Sequence, residues 1–225
     1  MSITLTEINK SEAIRFMGYG KSKPDEVTLR NINECEKALL EAIKPEYVYR
    51  VFNISHAENS VKILGTSLEL TGKDICKHLK GCDKAALLAV TVSGGADRLI
   101  RYYSACDMAK SVIADCLASA AVEQVCNEVD KIIKLNSGYK YQTWRFSPGY
   151  GDLPVEVQKD FLEVLNAGKR IGLSALENCM MVPTKSVTAV IGLSNNEISK
   201  GMRGCVCCNM RDRCAYRIRG EHCGF

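Results

Sequence analysis

The sequence predicts an α+β fold: a single body with a mixed, mainly antiparallel sheet and a long central helix, plus a Cys-rich C-terminal tail. Three observations carry this reading. Residues 84–92, KAALLAVTV, form a continuous apolar run, as expected of a strand buried on both faces. Residues 97–135 contain no proline or glycine and carry a broad apolar stripe: Ala109, Val112, Ile113, Cys116, Leu117, Ala120, Val125, Val129, Ile132 and Ile133. Helical and strand-like segments are mixed without a regular βαβ repeat, which disfavours a doubly wound sheet.

The elements follow in chain order. A first helix is expected over residues 6–17, with Ile8, Ala13, Ile14 and Met17 near one face. YGKSKP, residues 19–24, reads as a loop. Asp25 can cap a second helix in which Leu29, Ile32, Cys35, Leu39, Leu40 and Ile43 recur at helical spacing, with Pro45 ending it. Residues 47–54, YVYRVFNI, are rich in β-branched and aromatic side chains and read as a strand. Residues 61–70 read as a second strand interrupted by Gly65, and residues 71–79 as a short helix. After Gly94-Gly95 comes one long helix or two consecutive ones, stopped by Asn136-Ser137-Gly138. A loop carries residues 145–154. An amphipathic helix over 155–167 turns Val157, Phe161, Leu162 and Leu165 inward, Gly168 and Gly172 bracket a turn, and residues 187–193 form a strand. No internal repeat or low-complexity linker divides the chain, so residues 1–199 form the body and residues 200–225 the tail.

Composition bounds the function. The chain has 225 residues, 46% hydrophobic and 25% charged, which suits a globular protein rather than a disordered or fibrous one. No run of about 18 apolar residues is present, so no membrane-spanning helix is expected. MSITLTEINKSEAIRF at the N-terminus lacks the basic-then-apolar pattern of a secretory signal, and a reducing cytoplasm is the expected location. Twelve cysteines then read as core thiols and metal ligands, not as a disulfide framework. The net charge of +4 lies wholly in residues 200–225, where Lys200, Arg203, Arg211, Arg213, Arg217 and Arg219 face only Asp212 and Glu221. The body is therefore neutral. A zinc-knuckle nucleic-acid binder would have only that tail to use, with Tyr216 as its one interleaved aromatic, so no nucleic-acid partner is expected.

Two constellations could carry chemistry. The first is the tail's CVCCNMRDRCAYR, where Cys205, Cys208 and Cys214 make C-x2-C-x5-C and Cys223 lies beyond. A C-x2-C turn brings two thiolates within reach of one soft metal ion or cluster, and Arg203, Arg211 and Arg213 favour the thiolate form. Zinc and iron–sulfur both suit such a set. Cys207 is adjacent to Cys208, so Cys223 is the better fourth ligand, and a redox dithiol is the competing reading. By contrast, Cys106, Cys116 and Cys126 are ten residues apart, about 15 Å along a helix, and read as buried core thiols that cannot share an ion. His56, His78 and His222 are scattered along the chain, and no nucleophile–base pair supports a hydrolase.

The second constellation is RFSPGYG, residues 145–151. Pro148-Gly149 fits the central positions of a type II turn. Arg145 could clamp a carboxylate through two parallel hydrogen bonds, and Tyr150 could pack on a ligand or anchor the loop. An arginine beside a Pro-Gly turn is more often a surface ion pair.

RFSPGY resembles the R-x-x-x-G-Y element of the activation domain of cobalamin-dependent methionine synthase. Upstream, IADCLASAAVEQVCNEV (residues 113–129) resembles that domain's alanine-rich helix, with Glu123 where the family carries a glutamate. Downstream, IGLSALENCMMVPTKSVTAVIG (residues 171–192) resembles its Leu-x-Glu, Met-x-Pro and Ser-Val stretch. The resemblance covers residues 85–193. The N-terminal third and the tail, with its C-x2-C-x5-C-x-Y-R, look like the free-standing relatives of the domain. Two positions differ: Tyr139 stands where the family has a second glutamate, and Thr188 to Ile191 replace an aromatic pair.

This resemblance implies a reactivation factor acting in trans on a methionine synthase that lacks its own activation domain. It implies binding of S-adenosylmethionine, whose methyl group passes to cobalamin held by the partner after one electron from flavodoxin or ferredoxin reduces inactive Co(II) to Co(I). Arg145 would hold the methionyl carboxylate, Gly149 and Tyr150 would shape the loop, and Glu123 would lie near the sulfonium. The need for a low-potential electron favours an iron–sulfur cluster over zinc in the tail. The alternative is an iron–sulfur electron-transfer or corrinoid-reducing protein with a vestigial S-adenosylmethionine site.

Overall fold

The computed structural model of the chain describes residues 1–20, 22–198 and 211–218. It contains helices α1 (Lys10–Phe16), α2 (Glu26–Ala42), α3 (Lys73–His78), α4 (Gly94–Cys106), α5 (Met108–Asn136), α6 (Gln158–Leu165), α7 (Ala167–Ile171) and α8 (Ala215–Ile218). Its strands are β1 (Glu46–His56), β2 (Ser60–Ile63), β3 (Glu69–Thr71), β4 (Lys84–Thr91), β5 (Tyr141–Gln142), β6 (Ser174–Ala175), β7 (Met181–Val182) and β8 (Ser186–Ser194). The α+β class holds, with an antiparallel six-stranded sheet in the order β3-β2-β1-β4-β8-β5 and a small β6-β7 hairpin. Among the described residues no helix is long and apolar enough to cross a membrane.

The centre of the sheet is β4, which pairs with β1 from Glu46↔Thr91 to Asn53↔Lys84 and with β8 from Lys84↔Leu193 to Thr91↔Ser186. Its side chains alternate between two cores, as the period of a strand requires. Ala86, Leu88 and Val90 pack with α2, α4 and α5, whereas Ala85, Leu87 and Ala89 pack with α3, α6, α7 and Phe146. Helices on both faces of an antiparallel sheet therefore account for the continuous apolar run.

The 29 residues of α5 span about 44 Å, and Ile113, Leu117, Ala121, Val125, Val129 and Ile133 on it are buried. The long helical region is two helices. Asp107 breaks it with extended torsions, φ −155° and ψ 95°, and its side chain accepts from Lys110 N to cap α5. No glycine or proline marks this break. The entry to α4 depends on Gly95, where a Cβ would overlap the Ala42 carbonyl at the end of α2.

Several expectations need correction. The first helix starts at Lys10, because Asn9 caps it by accepting from Glu12 N. Residues 61–70 are a hairpin, not one strand: the chain reverses between β2 and β3, with Val61 opposite Leu70. The helix of 155–167 is a 3-10 turn plus α6, ended by left-handed Asn166, and the Gly168–Gly172 stretch is the short helix α7 rather than a turn. Cys116 and Cys126 are buried as expected, but Cys106 is exposed, with its thiol donating to the Tyr102 carbonyl at the end of α4. Of the tail's proposed metal ligands, Cys205, Cys208 and Cys223 lie outside the described residues; Cys214 is half-buried.

Candidate functional site

The structure brings Arg145 and Glu123 together through a bulge in the edge of the sheet. Gln142 faces Leu193 on β8, and Phe146 forms a bridge with Val190. Three residues on one chain thus face two on the other, an extra residue that re-aims side chains. Thr143 closes the gap. Its N–H donates to the Gly192 carbonyl at 2.9 Å, and its hydroxyl accepts from Gly192 N at 2.8 Å. The same hydroxyl lies 2.8 Å from His78 Nε2.

The bulge sorts the following side chains onto opposite faces. Trp144 and Phe146 turn towards α3, where the His78 ring lies 4.6 Å and 5.0 Å from theirs. Arg145 turns the other way, towards α5. There Glu123, Asn127 and Asp130, spaced i, i+4 and i+7, form one row along the helix. Arg145 Nη2 donates to Glu123 Oε2 at 2.9 Å, Nη1 to Asp130 Oδ2 at 2.5 Å, and both reach Asn127 Oδ1 at 3.2 Å. The Arg145 side chain is only 15% exposed, against 45% for Glu123. A planar guanidinium is well suited to this role, because its donors can meet several acceptors at once.

Four residues later the chain makes the expected turn. Tyr150 N donates to the Ser147 carbonyl at 3.0 Å, and Gly149, third in the turn, has φ +87°. Tyr150 is 55% exposed, its ring edge-on to Phe146 at 6.1 Å. The loop is tied to α3 by Asp152, whose carboxylate accepts from Lys73 N at 2.7 Å and Asp74 N at 3.0 Å. Beyond Phe146 the chain leaves the sheet, so among the described residues no strand pairs with the outer edge of β8 at Thr188.

Glu123, Arg145, Gly149 and Tyr150 thus belong to one loop and the helix face beside it. Asn127, Asp130 and Thr143 belong there too and escaped the sequence reading. The spacing of Glu123, Asn127 and Asp130 along one side of the helix was the available signal for the first two. The positions that differ from the family pattern are accounted for by packing. Tyr139 lies beneath Lys84, whose Nζ is 5.9 Å from the ring centre, and Ala189, Val190 and Ile191 are fully buried. No group of three or more possible metal ligands occurs among the described residues. Burial pushes the thiols of Cys35 and Cys82 up to about 11 and raises that of Cys126 as well, so these remain inert core groups.

The family described as "Vitamin B12 dependent methionine synthase, activation domain" matches residues 71–198, more than half of the chain. Among solved structures, the crystal structure of the MetH reactivation domain bound to AdoHcy superposes with a TM-score of 0.68 at 16% identity. That match covers 96% of this chain and 82% of the other. At this identity the likeness is one of fold. No curated protein matches the chain.

Proposed function

The chain belongs to the family of the vitamin B12 dependent methionine synthase activation domain, and from this we propose that it is a reactivation factor that binds S-adenosylmethionine beside Arg145. A role in methionine synthase reactivation follows from the family; the ligand and the residues that hold it are our reading. The observation that carries it is the bulge that sets Arg145 against Glu123 and Asp130, next to the Pro148-Gly149 turn. The methionyl end of S-adenosylmethionine carries a carboxylate, an ammonium and a sulfonium. One arginine among carboxylates complements that pattern. Arg145 would hold the ligand's carboxylate and Glu123 would lie near its cations, where a negative side chain is favoured. Gly149 and Tyr150 would shape the wall of the site. That the structurally similar reactivation domain was crystallised with AdoHcy, the demethylated form of this ligand, supports the choice.

The partner is a cobalamin-dependent methionine synthase that lacks its own activation domain. Bound there, S-adenosylmethionine would supply its methyl group to the partner's reduced cobalamin and would be left as S-adenosylhomocysteine. One electron is required, supplied by a flavodoxin or ferredoxin. The chain's own contribution is to bind and orient the ligand. We assign the tail's Cys205, Cys208, Cys214 and Cys223 to one metal centre, with iron–sulfur preferred over zinc because zinc carries no electron.

Calorimetric titration with S-adenosylmethionine tests the site. Arg145→Ala removes a charge-assisted contact worth about 2–3 kcal/mol and is expected to weaken binding about thirty- to a hundredfold. Equal affinity of the two proteins would refute the assignment of Arg145.

A further inference from the structure

We propose that Asn127 is a built-in stand-in for the ligand's carboxylate: its amide oxygen fills the fork of Arg145 in the empty site and is displaced when the ligand binds. The inference rests on the S-adenosylmethionine reading above and assigns a residue that the sequence motifs do not contain. The hydrogen bonds of Arg145 show where a carboxylate can sit. Nη2 donates to Glu123 Oε2 at 2.9 Å and Nη1 to Asp130 Oδ2 at 2.5 Å. Both nitrogens also reach one common atom, Asn127 Oδ1, each at 3.2 Å. An acceptor shared in that way lies on the axis of the guanidinium, between the two inner hydrogens, and leaves the outer ones to the two acids. That axis is one of the two places where a guanidinium takes a carboxylate through parallel hydrogen bonds. The other, beside Nε, needs the outer Nη2 hydrogen that Glu123 already accepts.

Asn127 holds its place loosely. Its two contacts are at the long end for N–H···O bonds. The residue is exposed, and among the described residues its side chain hydrogen-bonds only to Arg145. Arg145 is fixed independently, by one carboxylate on each side, with its side chain only 15% exposed. Turning Asn127 aside therefore opens the fork without moving the guanidinium. A carboxylate brings two oxygens to the two inner hydrogens where the amide brings one, and its charge roughly doubles the strength of each bond. In an α-amino acid the ammonium sits on the same carbon as the carboxylate, so a carboxylate at the fork places it beside Glu123. The exchange keeps the inner hydrogens of a mostly buried cation paired before the ligand arrives and after it leaves. It also tempers affinity, which eases release of a product that carries the same carboxylate.

The test is titration of wild type, Asn127→Ala and Asn127→Asp with S-adenosylmethionine and with decarboxylated S-adenosylmethionine. The second ligand keeps the nucleoside, sulfonium and ammonium but has no carboxylate for the fork. Asn127→Ala removes the competing oxygen, and S-adenosylmethionine is expected to bind about two- to tenfold more tightly, the scale of one displaced neutral hydrogen bond. Affinity for the decarboxylated ligand should not change. Asn127→Asp offers the fork an internal carboxylate, so S-adenosylmethionine should bind at least about tenfold more weakly. The decarboxylated ligand, which is wholly cationic, should bind that variant no more weakly than wild type. The affinity ratio of the two ligands thus moves in opposite directions in the two variants. An Asn127 that only props Arg145 in place would instead weaken S-adenosylmethionine in Asn127→Ala. That result, or a ratio that either variant leaves unchanged, would overturn the proposal. Failure of the wild type to bind S-adenosylmethionine would instead overturn the reading on which it rests.

Discussion

Gly149 and Thr143 show how single residues set the site. Gly149 has φ +87°, and a Cβ there would meet nothing closer than Val155 at 3.9 Å. The obstacle to a side chain is therefore backbone strain, about 1–2 kcal/mol for an L-residue in this region. Gly149→Val should shift the loop and weaken ligand binding while thermal unfolding moves by only a few degrees; an unaltered affinity would sever the turn from the site. Thr143 is a different case, because its hydroxyl replaces a missing ladder acceptor for Gly192 N. Thr143→Val leaves that donor without its partner and should cost about 1–3 kcal/mol in denaturant unfolding, whereas Thr143→Ser should be close to neutral. Equal stabilities for the two variants would show that the hydroxyl does not hold the bulge. The turn at Gly149 was legible in the sequence, since Pro148-Gly149 is a signal in contiguous residues. Thr143 was not, because a bulge exists only in the register between strands some 50 residues apart.

At the scale of elements, helices and strands with strong periodicity or unbroken apolar character were readable, and their junctions were not. Asp25 was identified as the cap of α2, and its carboxylate accepts from Thr28 N. Asp107 was missed, since one aspartate in a run without glycine or proline looks the same inside a helix as between two. The two-residue strands β5, β6 and β7 are too short to show alternation. The Gly94-Gly95 pair looked like a single punctuation mark but its members differ. A Cβ at Gly94 would find only Arg98 Nη1 at 3.5 Å, whereas one at Gly95 would overlap the Ala42 carbonyl. Gly95→Ala should therefore destabilise by about 1–3 kcal/mol through forced separation of α2 and α4, and Gly94→Ala by less than 1 kcal/mol in either direction. Chemical denaturation of both variants checks this, and comparable losses would contradict the packing argument.

The molecule as a whole is a sheet with a core on each face. That arrangement sets the RFSPGY loop where the sheet edge, α5 and α3 meet. The class of the fold and its central strand were legible because β4 is apolar on both faces. The second core was not, because it is assembled from α3, α6, α7 and Phe146, which lie far apart in the chain. The tail contributes the chain's entire net charge, which would steer an acidic electron donor less effectively as salt is raised. Protein prepared without oxygen is expected to carry one iron–sulfur centre; stoichiometric zinc without iron would remove the electron-transfer role of the tail. The central claim is transfer in trans. It is tested most directly by supplying S-adenosylmethionine labelled in its methyl group to an inactive, Co(II)-loaded methionine synthase without an activation domain, together with a reductant. Label is expected on the partner's cobalamin only when this chain is added, and Arg145→Ala should abolish most of it. Label no greater than in the mixture lacking the chain, with the added protein shown to be folded, would contradict the account.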